Sequence, residues 1–216
     1  MQTAKAIELV NVNKKFDNNT VINNISFDIN QGEMVSIVGT SGKGKTTLLN
    51  MMGLISKTSS GSIKILGKEI CGINSKKAML LRRKVIGYLF QNYGLVDDES
   101  VAWNLKLALS YKKLSKKEKD KKINDILEKF NMSALKSKKI YQLSGGEQQR
   151  VAIMRLILQD CDIILADEPT GSLDSQNRDK VISYLRELNN LGKTVVIVTH
   201  DMVVANECDR IISIWQ

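Results

Sequence analysis

Three groups of residues have the types and spacing to handle a phosphate chain. The first is Gly39-Thr40-Ser41-Gly42-Lys43-Gly44-Lys45-Thr46, which fits G-x-x-x-x-G-K-[ST]. Its glycines let successive backbone N–H groups turn inward around an anion. Lys45 would supply a point charge to the β/γ-phosphates, and the Thr46 hydroxyl would be a magnesium ligand. The second group is Asp167-Glu168, two carboxylates after the apolar run Asp162 to Ala166. Asp167 would hold the magnesium shell and Glu168 would polarise an attacking water, or the pair is an exposed acidic turn stiffened by Pro169. The third is Leu143-Ser144-Gly145-Gly146-Glu147, a helix start with a capping box at Ser144 and Glu147. Its two bare glycines either serve the cap alone or offer a helix N-terminus to a phosphate from outside.

The elements that must position these groups are legible around them. Met34 to Val38 reads as a buried strand and Thr47 to Met52 as the first turns of a helix, the arrangement that a phosphate loop requires. Ile7 to Val12 and Ile25 to Ile29 alternate as half-buried strands, separated by a polar turn from Lys14 to Asn19. Phe16 in that turn is a core or turn residue, or a plate for a base to stack on. Ser62 to Leu66 and Val85 to Phe90 read as strands, the latter ending at Gln91, with a helix from Lys76 to Lys84 between them. From about 100 to 142 the chain becomes lysine-rich, with Leu105, Leu109, Ile123, Ile126, Leu127 and Phe130 at helical spacing. This predicts a helical lobe inserted into an αβ core. A helix to about Leu158, another from Ser175 to Asn190, and strands Thr194 to Thr199 and Ile211 to Ile214 complete the chain. His200, the one histidine, follows the Thr194 strand, at the edge where open αβ sheets bind ligands.

Composition narrows the function classes. The 216 residues are 43% hydrophobic, enough for one domain with a proper core. No apolar run is long enough for a membrane helix and no signal peptide opens the chain, so a cytosolic protein is expected. Cys71, Cys161 and Cys208 are widely spaced, which argues against a disulfide framework or a zinc site and for buried or half-buried thiols. The net charge of +9 fits either an acidic surface as partner or a solvated lysine-rich face. Lys112 to Lys122 contains Glu118 and Asp120 in a helical pattern, which favours the solvated face; with only 5% aromatic residues, nucleic acid is not an expected partner.

Taken in order, the phosphate loop, LSGGEQQR, Ala166-Asp167-Glu168-Pro169-Thr170-Gly171-Ser172-Leu173-Asp174 and Val198-Thr199-His200-Asp201 resemble the nucleotide-binding subunit of an ABC transporter over nearly the whole chain. The resemblance implies an α/β P-loop NTPase core with an antiparallel β subdomain and an inserted helical lobe: one domain, with 1–91 and 143–216 as core and about 92–142 as lobe. It implies an ATPase using ATP and Mg2+. Phe16 matches the adenine-stacking aromatic, and Gly39, Thr40, Ser41, Gly42, Lys43, Gly44, Lys45, Thr46 and Thr47 match the Walker A loop. Gln91 matches the Q-loop glutamine, at the magnesium site and facing a membrane partner. Ser144, Gly145 and Gly146 match the signature that binds the γ-phosphate of ATP held by the opposite subunit. Asp167 matches the Walker B magnesium residue, Glu168 the catalytic carboxylate, Asp174 the D-loop aspartate and His200 the switch histidine.

The implied assembly is two subunits sandwiching two ATP molecules head to tail, as a homodimer or heterodimer, at the cytoplasmic face of the plasma membrane beside an integral-membrane permease. Gly87 to Asn92 and Ile164 to Gly171 resemble the macrolide-export, lipoprotein-release and cell-division group, and Tyr88 to Asp98 its bacteriocin-export branch. The implied task is export of a peptide, bacteriocin or antibiotic. The alternatives are mechanotransmission to an extracellular domain and a soluble ATPase acting on nucleic acid. Lys43 in the loop, Ile140-Tyr141 before the signature, Met154-Arg155-Leu156 and Cys161 depart from the usual pattern, and none removes a catalytic group.

Overall fold

A computed structural model describes residues 4–17, 19–40, 42, 44–70, 72–171 and 173–214. Two sheets organise it. The antiparallel sheet has the order β2-β1-β4-β5, from β1 (Lys5–Phe16), β2 (Asn19–Asn30), β4 (Ser60–Ile65) and β5 (Lys68–Glu69). The parallel sheet has the order β6-β7-β8-β3-β9, from β3 (Met34–Val38), β6 (Ile86–Leu89), β7 (Ile163–Asp167), β8 (Thr194–Thr199) and β9 (Arg210–Ser213).

The central parallel strands are apolar almost throughout because both of their faces are covered. Val35, Ile37, Leu165, Val196 and Val198 face helix α1 (Lys45–Met52) and the antiparallel sheet, in a core that includes Ile7, Leu9, Leu48 and Met52. The alternate residues Met34, Ile164, Ala166, Val195 and Ile197 join the opposite core. There they pack with α5 (Gly145–Gln159) and α6 (Ser175–Asn190). The buried sides of α3 (Val101–Ala108) and α4 (Lys116–Lys129) belong to this second core through Leu105, Ile123, Ile126 and Leu127. The lysine-rich first half of α4 is exposed to solvent. Among the described residues, no helix is long and apolar enough to cross a membrane.

The helix punctuation follows local chemistry. Ser75 caps α2 (Lys76–Lys84), Ser144 caps α5 with Glu147 closing a capping box, and Asp174 caps α6. One expectation is corrected. The polar turn from Lys14 to Asn19 is mostly strand: β1 runs to Phe16, β2 starts at Asn19, and Phe16 pairs with Asn19. Three irregularities between Leu9 and Lys15 break the period-two pattern, and Asn11 and Asn24 sit at φ 49°, so the alternation that marks a strand is lost. The five-residue helix α7 (Met202–Asn206) is too short to show a period. Cys161 is buried and Cys208 half-buried, both as free thiols; Cys71 lies outside the described residues.

Candidate functional site

The phosphate loop leaves the C-terminal end of β3 and feeds α1. Gly44, the N-cap of α1, has φ 82° and no side chain caps the helix there, so the first-turn N–H groups are left for a ligand. A Cβ on Gly44 would lie 2.8 Å from Ile22 Cδ1 and from Val21 Cγ1, which ties the loop to β2 and excludes any larger residue. Lys45 is buried, and its ammonium donates to the carbonyl oxygens of Gly39 at 2.8 Å and Thr40 at 3.2 Å. Gly39 passes close to the end of the chain, where a Cβ would meet Ile214 O at 3.2 Å. Gly42 is exposed at φ 79°, Thr46 is exposed and Thr47 half-buried. Ser41 and Lys43 lie outside the described residues.

Two neighbouring strands deliver the carboxylates and the imidazole to the same edge. Asp167 ends β7, and its Oδ1 accepts a hydrogen bond from Thr46 Oγ1 at 3.1 Å. Burial raises the Asp167 pKa; the Thr46 hydrogen bond and the Lys45 charge oppose that rise, while the Glu168 charge adds to it. Glu168 follows at φ 45°, its N–H donating to Val198 O at 2.9 Å. Its Oε1 is 2.8 Å from His200 Nδ1, and its Oε2 accepts from Thr199 Oγ1 at 3.3 Å. Gln91 lies just beyond β6, exposed. Gly42, Gly44, Lys45, Thr46, Thr47, Gln91, Glu168 and His200 line one cavity of about 350 Å3, with Val21 from β2 as a wall that the sequence did not signal. A larger cleft of about 490 Å3 between α6 and α7 holds none of the residues selected from sequence.

The remaining selected residues lie outside this cavity. Phe16 is half exposed at the end of β1, with Lys14 Nζ 4.6 Å from its ring centre. Ser144, Gly145 and Gly146 form the N-terminus of α5; a Cβ on Gly145 would meet the Tyr93 hydroxyl and one on Gly146 the Asn177 amide, not the phosphate loop. Asp174 accepts from Asn177 N at 2.9 Å and from its side-chain amide at 2.7 Å, and these bonds lower its pKa.

Three residues make supporting contacts that carry no sequence signal, because both partners are known only once the chain is folded. Thr199 donates to Glu168 as above. Buried Gln149 donates to Pro169 O, in the turn that Glu168 opens. Arg155 donates to Gly94 O and, at 2.8 Å, to Tyr93 O, in the turn that follows Gln91. Among the described residues no group of three or more His, Cys, Asp or Glu side chains forms a metal cluster, so any cation here would rest on a mixed oxygen set.

Comparison with known proteins agrees with this geometry. The sequence profile of the ABC transporter family matches residues 22–171. The macrolide export ATP-binding/permease protein MacB of Vibrio parahaemolyticus is 41% identical over 195 residues, 90% of this chain and 30% of that protein. MacB of Pectobacterium atrosepticum is 39% identical over 212 residues, 96% of this chain and 33% of that protein. The chain thus spans about a third of the length of these curated relatives. Among solved structures, the dimeric post-hydrolysis state of the ATP-binding cassette MJ0796 bound to ADP and Pi superposes with a TM-score of 0.87 at 36% identity, covering 96% of this chain and 94% of that one. The cbiO1 protein of Clostridium perfringens, part of the ABC transporter complex cbiONQ, gives 0.84 at 29% identity, covering 97% and 84%. With a matching profile over more than half its length and a cavity that joins the phosphate loop, Glu168 and His200, the chain belongs to the ABC transporter family as an ATPase cassette.

Proposed function

We propose that this chain hydrolyses ATP in a head-to-tail dimer to drive an integral-membrane permease that exports a peptide, bacteriocin or antibiotic. The observation that carries the site assignment is the single cavity in which the phosphate loop, Gln91, Glu168 and His200 meet. In this reading the first-turn amides of α1, the backbone of Gly39 to Gly44 and Lys45 bind the phosphates, and Phe16 stacks on adenine. Thr46, Asp167 and Gln91 hold Mg2+. The donor set fits: it is hydroxyl, carboxylate and amide oxygen, hard ligands suited to a hard cation, and Thr46 and Asp167 already converge at 3.1 Å. When bound, the cation neutralises charge on the transferring phosphoryl group. Glu168 polarises the attacking water and His200 contacts the γ-phosphate.

Ser144, Gly145, Gly146 and Asp174 serve the partner subunit's nucleotide. Their absence from the lining of the phosphate-loop cavity supports that reading, as do the dimeric cassettes of like fold. The domain is single, with about 92–142 as a lobe that, together with the Gln91 turn, passes motion to the permease at the cytoplasmic face of the membrane. Export is supported by the MacB relatives, described as macrolide export ATP-binding/permease proteins. Glu168→Gln tests the assignment. Turnover is expected to fall by about 10²–10⁴-fold, the usual share of a general base, while an ATP-dependent dimer accumulates on size exclusion. A variant that hydrolyses ATP normally, or stays monomeric with ATP and Mg2+, refutes it.

A further inference from the structure

The Glu168 carboxylate is held at both oxygens, by groups of very different character. Oε1 faces His200, whose side chain is 63% exposed at the cavity. Oε2 faces Thr199, which has no exposed surface and is not among the cavity-lining residues. The direction of the Thr199 bond follows from the other partner of its hydroxyl. Asp201 N–H donates to the same Oγ1 at 3.0 Å, so that oxygen is already an acceptor and its one proton turns to Glu168 Oε2 at 3.3 Å. The backbone beneath is unusual as well. Glu168 adopts φ 45°, a conformation that persists only where its surroundings impose it, and the adjacent residues of β8 do so: Val198 through the backbone, Thr199 through the side chain.

We infer that Thr199 is a positioning residue for ATP hydrolysis: it pins Glu168 Oε2 from the buried side so that Oε1 alone is presented to the cavity. The inference rests on the reading of Glu168 as the carboxylate that polarises water. Contacts at both oxygens limit rotation of the carboxylate; without the Thr199 bond only the exposed His200 contact remains, and the carboxylate rotates and spends time out of line. The nucleotide is bound by other residues, so the effect falls on the chemical step.

Thr199→Val tests this, because valine keeps the volume and the β-branched shape that β8 favours and removes only the hydroxyl. The expected result is a kcat about tenfold lower with unchanged KM for ATP; the melting temperature falls as well, because the variant leaves the Asp201 N–H without its acceptor. Tenfold corresponds to about 1.4 kcal/mol. On size exclusion, the ATP-dependent dimer of Thr199→Val outlasts that of the wild type. Thr199→Ser, which restores the hydroxyl, recovers most of the rate, a rescue that a purely structural role would not produce. Thr199→Ala loses the same acceptor without any crowding, and must give the same loss of kcat. A Thr199→Val or Thr199→Ala kcat within twofold of wild type, or equal defects in the serine and valine variants, overturns the inference. Glu168→Gln separates the two claims: if it hydrolyses ATP, the role of Glu168 falls; if it is inactive while Thr199→Val is normal, only the role of Thr199 falls.

Discussion

Gly44→Ala offers a direct measure of how tightly the phosphate loop is built. Two costs separate. The first is conformational: an L-residue at φ 82° pays about 1–2 kcal/mol relative to the right-handed region. The second is steric. The new Cβ would sit 2.8 Å from Ile22 Cδ1, 2.8 Å from Val21 Cγ1 and 3.0 Å from Val21 O. Two of these are side-chain tips, but Ile22 is only 1% exposed and the third is backbone, so the loop rather than β2 must give way. Overpacking of this kind costs about 1–3 kcal/mol. The sum is about 2–5 kcal/mol, which at 2–4 °C per kcal/mol for a chain of this size lowers the melting temperature by about 4–20 °C. Gly67→Ala is the control. Gly67 has φ 69°, but a Cβ there meets nothing within 4 Å, and it lies in the turn between β4 and β5, away from the cavity. It should show the conformational cost alone and leave ATP affinity intact. Thermal unfolding and titration with a fluorescent ATP analogue read both quantities, and Gly44→Ala should weaken binding at least about tenfold, because the displaced loop carries Lys45 and Thr46 with it. If Gly44→Ala matches Gly67→Ala in stability and binds nucleotide like the wild type, the reasoning about the loop is refuted.

Other perturbations read other parts of the fold. Arg155→Met removes both hydrogen bonds to the carbonyls of Tyr93 and Gly94 from a guanidinium whose pKa burial lowers. The expected cost is about 2 kcal/mol, with faster amide exchange at residues 91–95 by mass spectrometry; unchanged exchange there would show that Arg155 does not brace the turn. Burial, aided by the Asp162 charge, pushes the Cys161 thiol up to about 12, and burial pushes Cys208 up to about 11. Both thiols should therefore alkylate far more slowly in the folded protein than in denaturant at pH 8. Because an unfolded thiol titrates near 8.5, the folded state holds more protons above that pH, so stability should fall as pH rises toward about 12. A flat urea midpoint from pH 8 to 11, or native-state labelling as fast as in urea, would contradict that burial.

Much of the fold is legible locally. The helices at Lys76–Lys84 and Ser175–Asn190 and the strand at Thr194–Thr199 stand where period, cap and apolar run place them. Their signals lie within a few residues of one another: Ser75 three residues before Ala78 N, or Asp174 three before Asn177 N. Where structure depends on a distant partner, the local signal fails. The irregular pairing of β1 with β2 hid the strand residues from Asn13 to Phe16 and from Asn19 to Asn24, and α7 depends on packing against β3 and β8 rather than on a period of its own.

The sequence by itself determined which groups have the types and spacing to hold a phosphate chain, because a phosphate loop needs glycines, a lysine and a hydroxyl at set intervals between a strand and a helix, and that need is written in consecutive residues. It also determined the family, since the order of its motifs is a property of the chain. Only the tertiary structure decided that Gln91, Glu168 and His200 share one cavity with that loop, and that Ser144 to Gly146 do not. The reason is the strand order β6-β7-β8-β3-β9, in which hydrogen bonds between strands far apart in the chain bring the C-terminal ends of β3, β7 and β8 to one edge. Thr199 follows the same rule: a threonine ending a strand is unremarkable until β7 lays the backbone of Glu168 beside it.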